Sequence, residues 1–204
     1  GALTIEDSDG VVRAEFRTET QPAAHWSDLI AEGDPLLDIV LYPDGVTPVR
    51  VFGWDQFVPT WRDAAPLCFL ERAGGLVRAS VSLHAHHHER YVGTGERFLE
   101  ADLSGRTLEL ANVDALGVNS ARAYKNVPFV LSSRGFGLFV HTSSPTTLSL
   151  KGISTRSSQV AVEAPFLDLF VIGGGAPEPV LASYRRLTGF PPELPLWSYG
   201  MWMS

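Results

Sequence analysis

The chain has 204 residues, of which 45% are hydrophobic and 19% are charged. A chain of this length and composition forms one large domain with a packed core, or a domain joined to part of another, and is not intrinsically disordered. Its formal net charge of −7 argues against nucleic acid or an anionic membrane as a partner, because both require clustered Lys and Arg.

Short alternating segments separated by turn residues dominate the chain from Val11 onward. They predict strands at 11–17, 35–42, 46–53, 65–71, 75–87, 106–112, 126–133, 135–142, 146–152, 158–164 and 166–173. Almost no helix lies between these strands, so they must pair antiparallel, since parallel strands need long crossovers. Many short strands around one core predict an all-β fold, a large two-sheet antiparallel β-sandwich. Within it, "LSSRGFGLFV" is typical of a hairpin in which Gly135 takes a positive φ.

Helical periodicity is clear once, in "APEPVLASYRRLTG". It predicts a helix near 177–188, with Pro177 in its first turn and Gly189 at its C-cap. The segment 25–33 is a weaker helix candidate. A proline cluster follows the C-terminal helix, before a final apolar run, so we place a domain boundary there, with one domain at 1–190 and a linker and the start of a second at 191–204.

Three histidines in "LHAHHHER" suggest a metal site, because His84, His86 and His88 would share one face of a strand. The alternative is a polar, solvent-facing strand edge. We favour the alternative, since Glu89 is the only nearby carboxylate and metal ligands usually come from several elements. No P-loop, C-x-x-C, H-E-x-x-H or G-x-S-x-G motif occurs, and we expect no cofactor.

The connection 112–126 is about fifteen residues long, and connections of that length are often functional. It combines amide, carboxylate and aromatic groups, which suit sugar hydroxyls and pyranose faces. The alternative is a polar surface loop.

Upstream of this connection, "GTG" at 93–95 is interpreted as a tight turn, because a lone G-x-G is not a phosphate loop. The single cysteine, Cys68, is interpreted as a buried hydrophobic residue. The sequence shows neither a membrane span nor a signal peptide, and we expect a cytoplasmic protein.

Several segments together resemble the N-terminal region of glycoside hydrolase family 31, which includes α-glucosidases and α-xylosidases. They are "YVGTGERF", "LANVDALGVNSARAYKNVPFVLSSRGFGLFVHTSSP" and "FLDLFVIGGGAPEPVLASYRRLTGFPPELPLWSYGMWMS", in the family's order. The resemblance implies a galactose-mutarotase-like β-sandwich followed by a catalytic (β/α)8 barrel. The final "LWSYGMWMS" resembles the first barrel strand, so we expect this chain to be part of a longer protein.

The resemblance also implies a division of roles. In the family both catalytic carboxylates are aspartates of the barrel, which run retaining hydrolysis, so no residue of this chain is assigned a catalytic role. The sandwich packs on its own barrel and lends a loop to the pocket for an α-linked oligosaccharide or glycoside. The matching residues are Asp114, as the acceptor for a sugar hydroxyl, with Asn112 and Tyr124 as further candidates.

Two other functions stay open from the sequence. The chain could be a stand-alone carbohydrate-binding module that uses the 112–126 loop. It could also be a mutarotase-type sugar epimerase, which needs a His and a carboxylate converging on one sheet face, and for which His84, His86, His88 and His141 are available. A homo-oligomer is possible, because an unpaired C-terminal strand would be an edge that invites pairing with another copy.

Overall fold

The computed structural model describes residues 2–8, 11–17, 40–41, 49–50, 67–72, 75–114 and 122–200. The strands are β1 Ala2–Ser8, β2 Val11–Arg17, β3 Val40–Leu41, β4 Val49–Arg50, β5 Leu67–Arg72, β6 Gly75–His84, β7 Tyr91–Gly95, β8 Arg106–Leu110, β9 Asn126–Ser132, β10 Phe136–Val140, β11 Thr146–Ser154, β12 Ser157–Val162 and β13 Phe166–Gly173. One α-helix, α1, spans Pro177–Thr188, and a 3-10 turn spans Leu196–Tyr199.

Two antiparallel sheets form the body of the structure. The larger has the strand order β1-β2-β13-β10-β9-β7 and the smaller the order β5-β6-β12-β11-β8, while β3 and β4 pair separately. A single large cluster of buried side chains draws on both sheets, with Val81, Leu108 and Leu148 from the smaller and Val130 and Leu169 from the larger. The predicted two-sheet antiparallel β-sandwich is therefore confirmed.

Strand β13 is buried on both faces. Leu167, Leu169 and Val171 belong to the core between the sheets, whereas Phe170 and Ile172 belong to a second cluster on the other face. This explains why "FLDLFVIG" reads as a nearly continuous apolar run and not as an alternating one.

Helix α1 covers that second face of the larger sheet. Val180 is fully buried against it, and the ring of Tyr184 stacks on Phe129 with their centroids 4.1 Å apart. A Cβ at Gly137 would lie 2.8 Å from both the Phe129 ring and Val180, so the helix approaches the sheet closely only because this position is glycine. The helix has the predicted Pro at its first turn, Arg185 and Arg186 in its last turn and Gly189 at its C-cap.

Two described strands were not predicted. The first, β1, precedes residue 11, where the predicted strands begin. The second, β7, contains the "GTG" that was interpreted as a turn. Gly93, Thr94 and Gly95 all have positive φ, at 129°, 68° and 89°, and the pairing of β7 with β9 shifts register between Gly93 and Gly95. The signal for a turn was thus correct about the backbone conformation but wrong about the element.

The remaining expectations have different outcomes. The hairpin at Gly135 is confirmed, with φ 86° and β9 paired to β10. The helix candidate at 25–33, most of the strands at 35–42 and 46–53, and residues 201–204 lie outside the described residues.

The segment Leu196–Tyr199, expected as a barrel strand, forms a 3-10 turn. A strand needs a neighbour to satisfy its backbone, and here the turn closes locally, with Ser198 N donating to Pro195 O at 2.9 Å.

Candidate functional site

The connection between β8 and β9 passes from the smaller sheet to the larger at one end of the sandwich. Its two described legs are residues 111–114, which leave β8, and residues 122–125, which enter β9. The legs lie side by side, with a bridge between Asn112 and Ala123 and a hydrogen bond from Val113 N to Ala123 O at 3.2 Å. The backbone that carries the predicted site residues is therefore fixed at both ends.

Asn112, predicted as a sugar ligand, is engaged within the loop. Its side-chain oxygen accepts hydrogen bonds from the backbone nitrogen of Asn126 at 3.1 Å and from the side-chain nitrogen of Asn126 at 2.8 Å. The Asn112 amide thus joins the outgoing leg to the start of β9, which is a structural role.

Asp114 and Tyr124, the other two predicted residues, are both exposed to solvent. Asp114 is exposed at the end of the outgoing leg, and the Tyr124 ring on the other leg is 63% exposed. The Lys125 ammonium lies 5.9 Å from the centroid of that ring. A carboxylate and an aromatic face on adjacent legs can together bind a hydroxyl and the apolar face of one sugar ring.

A cleft of about 400 Å³ opens beside the incoming leg. Its lining is Gly95, Glu96, Arg97, Phe98, Arg122, Ala123, Tyr124 and Lys125. Phe98 is 66% exposed, so the cleft presents two aromatic rings to solvent. Burial lowers the pKa of the Arg97 guanidinium below its ordinary value. The sequence analysis missed Phe98 and Arg97 as site residues, although both stand in the quoted "YVGTGERF" motif.

The three histidines are not arranged as the strand pattern predicted. Strand β6 ends at His84, so His86 and His88 lie in the turn after it and not on a strand face. Glu89, the nearest carboxylate, is buried and accepts hydrogen bonds from the His86 backbone nitrogen at 3.0 Å and from the Ser132 hydroxyl. Within the described ranges, no three or more His, Cys, Asp and Glu side chains are grouped to hold a metal ion.

His141 does meet a carboxylate, at the end of the larger sheet. Its Nδ1 lies 2.9 Å from Oδ2 of Asp168, and Arg13 Nε and Nη2 each donate to Asp168 at 2.8 Å. A cleft of about 760 Å³ adjoins the three side chains. Burial of Asp168 acts to raise its pKa, but the hydrogen bonds and charges of Arg13 and His141 outweigh it, so the pKa of Asp168 is lowered.

The fold has close structural relatives. The cycloalternan-forming enzyme from Listeria monocytogenes, solved in complex with a pentasaccharide substrate, superposes with a TM-score of 0.73 at 18% identity, over 99% of this chain and 21% of that one. A glycoside hydrolase family 31 dextranase from Flavobacterium johnsoniae, solved with glucose, gives a TM-score of 0.67 at 18% identity, over 98% of this chain and 29% of that one. Likeness at this identity establishes the fold.

Sequence comparison gives relatives of higher identity over part of the chain. An α-xylosidase of Emericella nidulans is 40% identical over 116 residues, and the α-xylosidase XylQ of Lactiplantibacillus pentosus is 36% identical over 116 residues. Each match covers 57% of this chain and 15% of the relative. The chain therefore corresponds to a small part of these relatives' length.

Two antiparallel sheets with one covering helix define this chain as a galactose-mutarotase-like sandwich. Residues 9–148 match the family described as the glycosyl hydrolase 31 N-terminal galactose mutarotase-like domain. The chain belongs to that family, as the resemblance implied. Among the described residues, no helix combines the length and apolar character needed to cross a bilayer.

The Asp168 contacts predict a stability that falls in acid. A carboxylate whose pKa is lowered by folding stabilises the fold fully above its unfolded pKa of about 3.9, and this contribution is lost as the pH falls through the folded pKa. Asp168→Asn should lower the free energy of unfolding at pH 7 by about 2 kcal/mol, since it weakens charge-assisted hydrogen bonds of a buried carboxylate to partly exposed partners. Urea unfolding between pH 7 and pH 3 measures both effects.

The matched control is Glu163→Gln, which changes an exposed carboxylate beside the same cleft. This variant should unfold like the parent at each pH. If Asp168→Asn keeps the parent's steep loss of stability in acid, the Asp168 contacts are not its source.

Proposed function

We propose that the chain is the non-catalytic N-terminal sandwich of a retaining α-glycosidase of the α-xylosidase or α-glucosidase type, and that it lends the 112–126 loop to the substrate pocket. The observation that carries this proposal is the geometry of the loop. Its legs are hydrogen-bonded to each other at their base, and beyond that base they present an exposed carboxylate and an exposed aromatic ring. Binding residues commonly lie on loops that a rigid scaffold positions, and Asp114 and Tyr124 follow that pattern.

Asp114 is the residue proposed to contact the sugar directly, by accepting a hydrogen bond from a hydroxyl group. Tyr124 offers an apolar face to the ring. Asn112 holds the loop and does not contact the sugar in this proposal. The α-xylosidases with 40% and 36% identity support an α-linked glycoside or oligosaccharide as the substrate class.

The catalytic barrel is the proposed partner of the C-terminal segment. After α1 the chain exposes large apolar side chains, with Leu196 at 87%, Trp197 at 83% and Tyr199 at 70% exposure. Contiguous apolar surface of this kind marks an interaction site. We place the domain boundary after residue 190, where the helix has ended at its Gly189 cap and Pro191, Pro192 and Pro195 follow.

The role of Asp114 is tested in the longer protein that contains this chain. Asp114→Asn should reduce kcat/KM for an aryl α-glycoside about ten- to hundredfold, mainly through KM, because a hydrogen bond to a charged group contributes about 1.5–3 kcal/mol. Steady-state kinetics with aryl α-xyloside and aryl α-glucoside measure the loss. Glu100→Gln, at an exposed carboxylate paired with Arg106, is the control and should leave kcat/KM unchanged.

Parent-like kinetics for Asp114→Asn would mean that the loop does not contribute this carboxylate to the pocket. Saturable sugar binding by the isolated chain, lost in Asp114→Asn, would instead favour the stand-alone carbohydrate-binding module.

The isolated chain is expected to neither hydrolyse glycosides nor interconvert sugar anomers. The contact between His141 and Asp168 is the one observation that favours an epimerase, but the bidentate Arg13 contact holds the carboxylate in an ion pair. Polarimetry of α-glucose and of α-xylose, with and without the chain, tests this expectation. Faster mutarotation that disappears in His141→Ala would establish the epimerase instead.

Removing the exposed apolar segment should make the isolated chain less prone to self-association. A chain that ends after Pro195 lacks Leu196, Trp197 and Tyr199. The apolar surface proposed to bind the barrel is then absent, so another copy cannot bind to it. Light scattering over a concentration series compares the two lengths. Identical scattering from both would show that this segment does not drive association.

A further inference from the structure

Asn126, the first residue of β9, contacts both legs of the loop at once. Its side-chain nitrogen lies within hydrogen-bonding distance of three oxygens, Ala111 O at 3.0 Å, Asn112 Oδ1 at 2.8 Å and Ala123 O at 2.8 Å. Its backbone nitrogen donates to Asn112 Oδ1 at 3.1 Å. One amide group therefore contacts both legs, beside the hydrogen bond from Val113 N to Ala123 O that joins the legs directly.

Arg97 fixes the orientation of this amide. Nη2 of Arg97 donates to Oδ1 of Asn126, and a guanidinium group has no acceptor. The amide oxygen must therefore face Arg97, and the NH₂ group must face the three oxygens of the legs. The same Nη2 also donates to Glu109 O at 2.8 Å, so Arg97 ties the amide to β8.

The pair joins three strands at the base of the loop. Arg97 follows the end of β7, where Gly95 pairs with Asn126 on β9. A Cβ at Gly95 would lie 2.1 Å from Lys125 O, so β7 reaches this position only with glycine there. Burying the Arg97 guanidinium costs free energy unless neighbouring acceptors hydrogen-bond to it. Two such acceptors are present, Asn126 Oδ1 and Glu109 O.

We propose that Asn126, backed by Arg97, is the positioning residue that sets where Asp114 stands in the sugar pocket. Ala123 O, which accepts a hydrogen bond from the Asn126 side chain, also accepts one from the backbone nitrogen of Val113, the residue before Asp114. Loss of the Asn126 donor therefore loosens the hydrogen bonds that fix the backbone next to Asp114, and its carboxylate meets the sugar hydroxyl less well. This inference rests on the proposed function of Asp114 and adds the residue that controls it.

The decisive variant is Asn126→Asp in the longer protein that contains this chain. It keeps an oxygen for Arg97 but replaces the NH₂ group with a second oxygen, which faces three acceptors and cannot bond them. The legs lose their common donor while the Arg97 contact remains. We expect KM for the aryl α-glycoside to rise about tenfold with kcat changed less than about twofold. Asn126→Ala should give a similar rise in KM.

A double-mutant cycle separates positioning from general destabilisation. If Asn126 acts through Asp114, adding Asn126→Asp to Asp114→Asn should raise KM no further than Asp114→Asn alone. Ser158→Ala removes the buried hydrogen bond to the Tyr91 hydroxyl near the start of β8, the end opposite the loop. It serves as the stability control and should leave KM unchanged. Asn112→Ala removes only the acceptor on the outgoing leg and tests the same contact if Asn126→Asp fails to fold.

The outcomes distinguish this inference from the proposed function. Suppose that Asp114→Asn raises KM but Asn126→Asp does not. The positioning role would then be overturned and the proposed function would stand. Asn112→Ala decides the same question if Asn126→Asp does not fold. Full additivity in the cycle would also overturn the positioning role, because Asn126 would then act by a route other than Asp114. No effect of Asp114→Asn would overturn both.

Discussion

Burial of β13 on both faces is the constraint on which the rest of the structure depends. One face closes the core between the sheets, and the other receives α1, so this strand can carry almost no polar side chain. Asp168 is the exception, and it is held by Arg13 from β2 and by His141 just after β10. Those two groups come from the strands on either side of β13. The buried charge is thus compensated by the immediate neighbours of its own strand.

The strand order then decides where a loop can reach outward. At one end of the sandwich β8 ends and β9, β11 and β13 begin. In the smaller sheet, Leu110 at the end of β8 pairs with Thr146 at the start of β11. In the larger sheet, Val140 at the end of β10 pairs with Leu169, next to the start of β9. The 112–126 connection crosses between the sheets at this end. Both clefts, at Tyr124 and at His141, include residues that follow the end of a strand, such as Phe98 after β7 and His141 after β10.

The sequence predicted the fold well wherever burial controls the residue pattern. The predicted strand at 166–173 coincides with β13, and the predicted helix near 177–188 coincides with α1. Both could be predicted because burial and helix capping depend on residue types that are close together in the sequence. The sequence predicted less where long-range contacts decide. Strand β7 was missed because its glycines serve close approach to β9. Whether Leu196–Tyr199 forms a strand or a turn, and where β6 ends, depends on which other strands are available for pairing. The local sequence does not show those partners. The role of Asn112 likewise depends on Asn126, fourteen positions away.

Backbone strain lies beside the cleft, in the strand that leads to Arg97. Thr94 has φ 68°, a conformation that is unfavourable for a β-branched residue, and its buried hydroxyl has no hydrogen-bond partner within the part of the chain that the structure describes. Neither feature stabilises the fold, and each costs on the order of 1–3 kcal/mol. Thr94 lies within the register shift between Gly93 and Gly95, three residues before Arg97. The strained backbone thus leads directly into the Arg97 contact with Asn126, and strain of this kind persists only where the surrounding structure holds it.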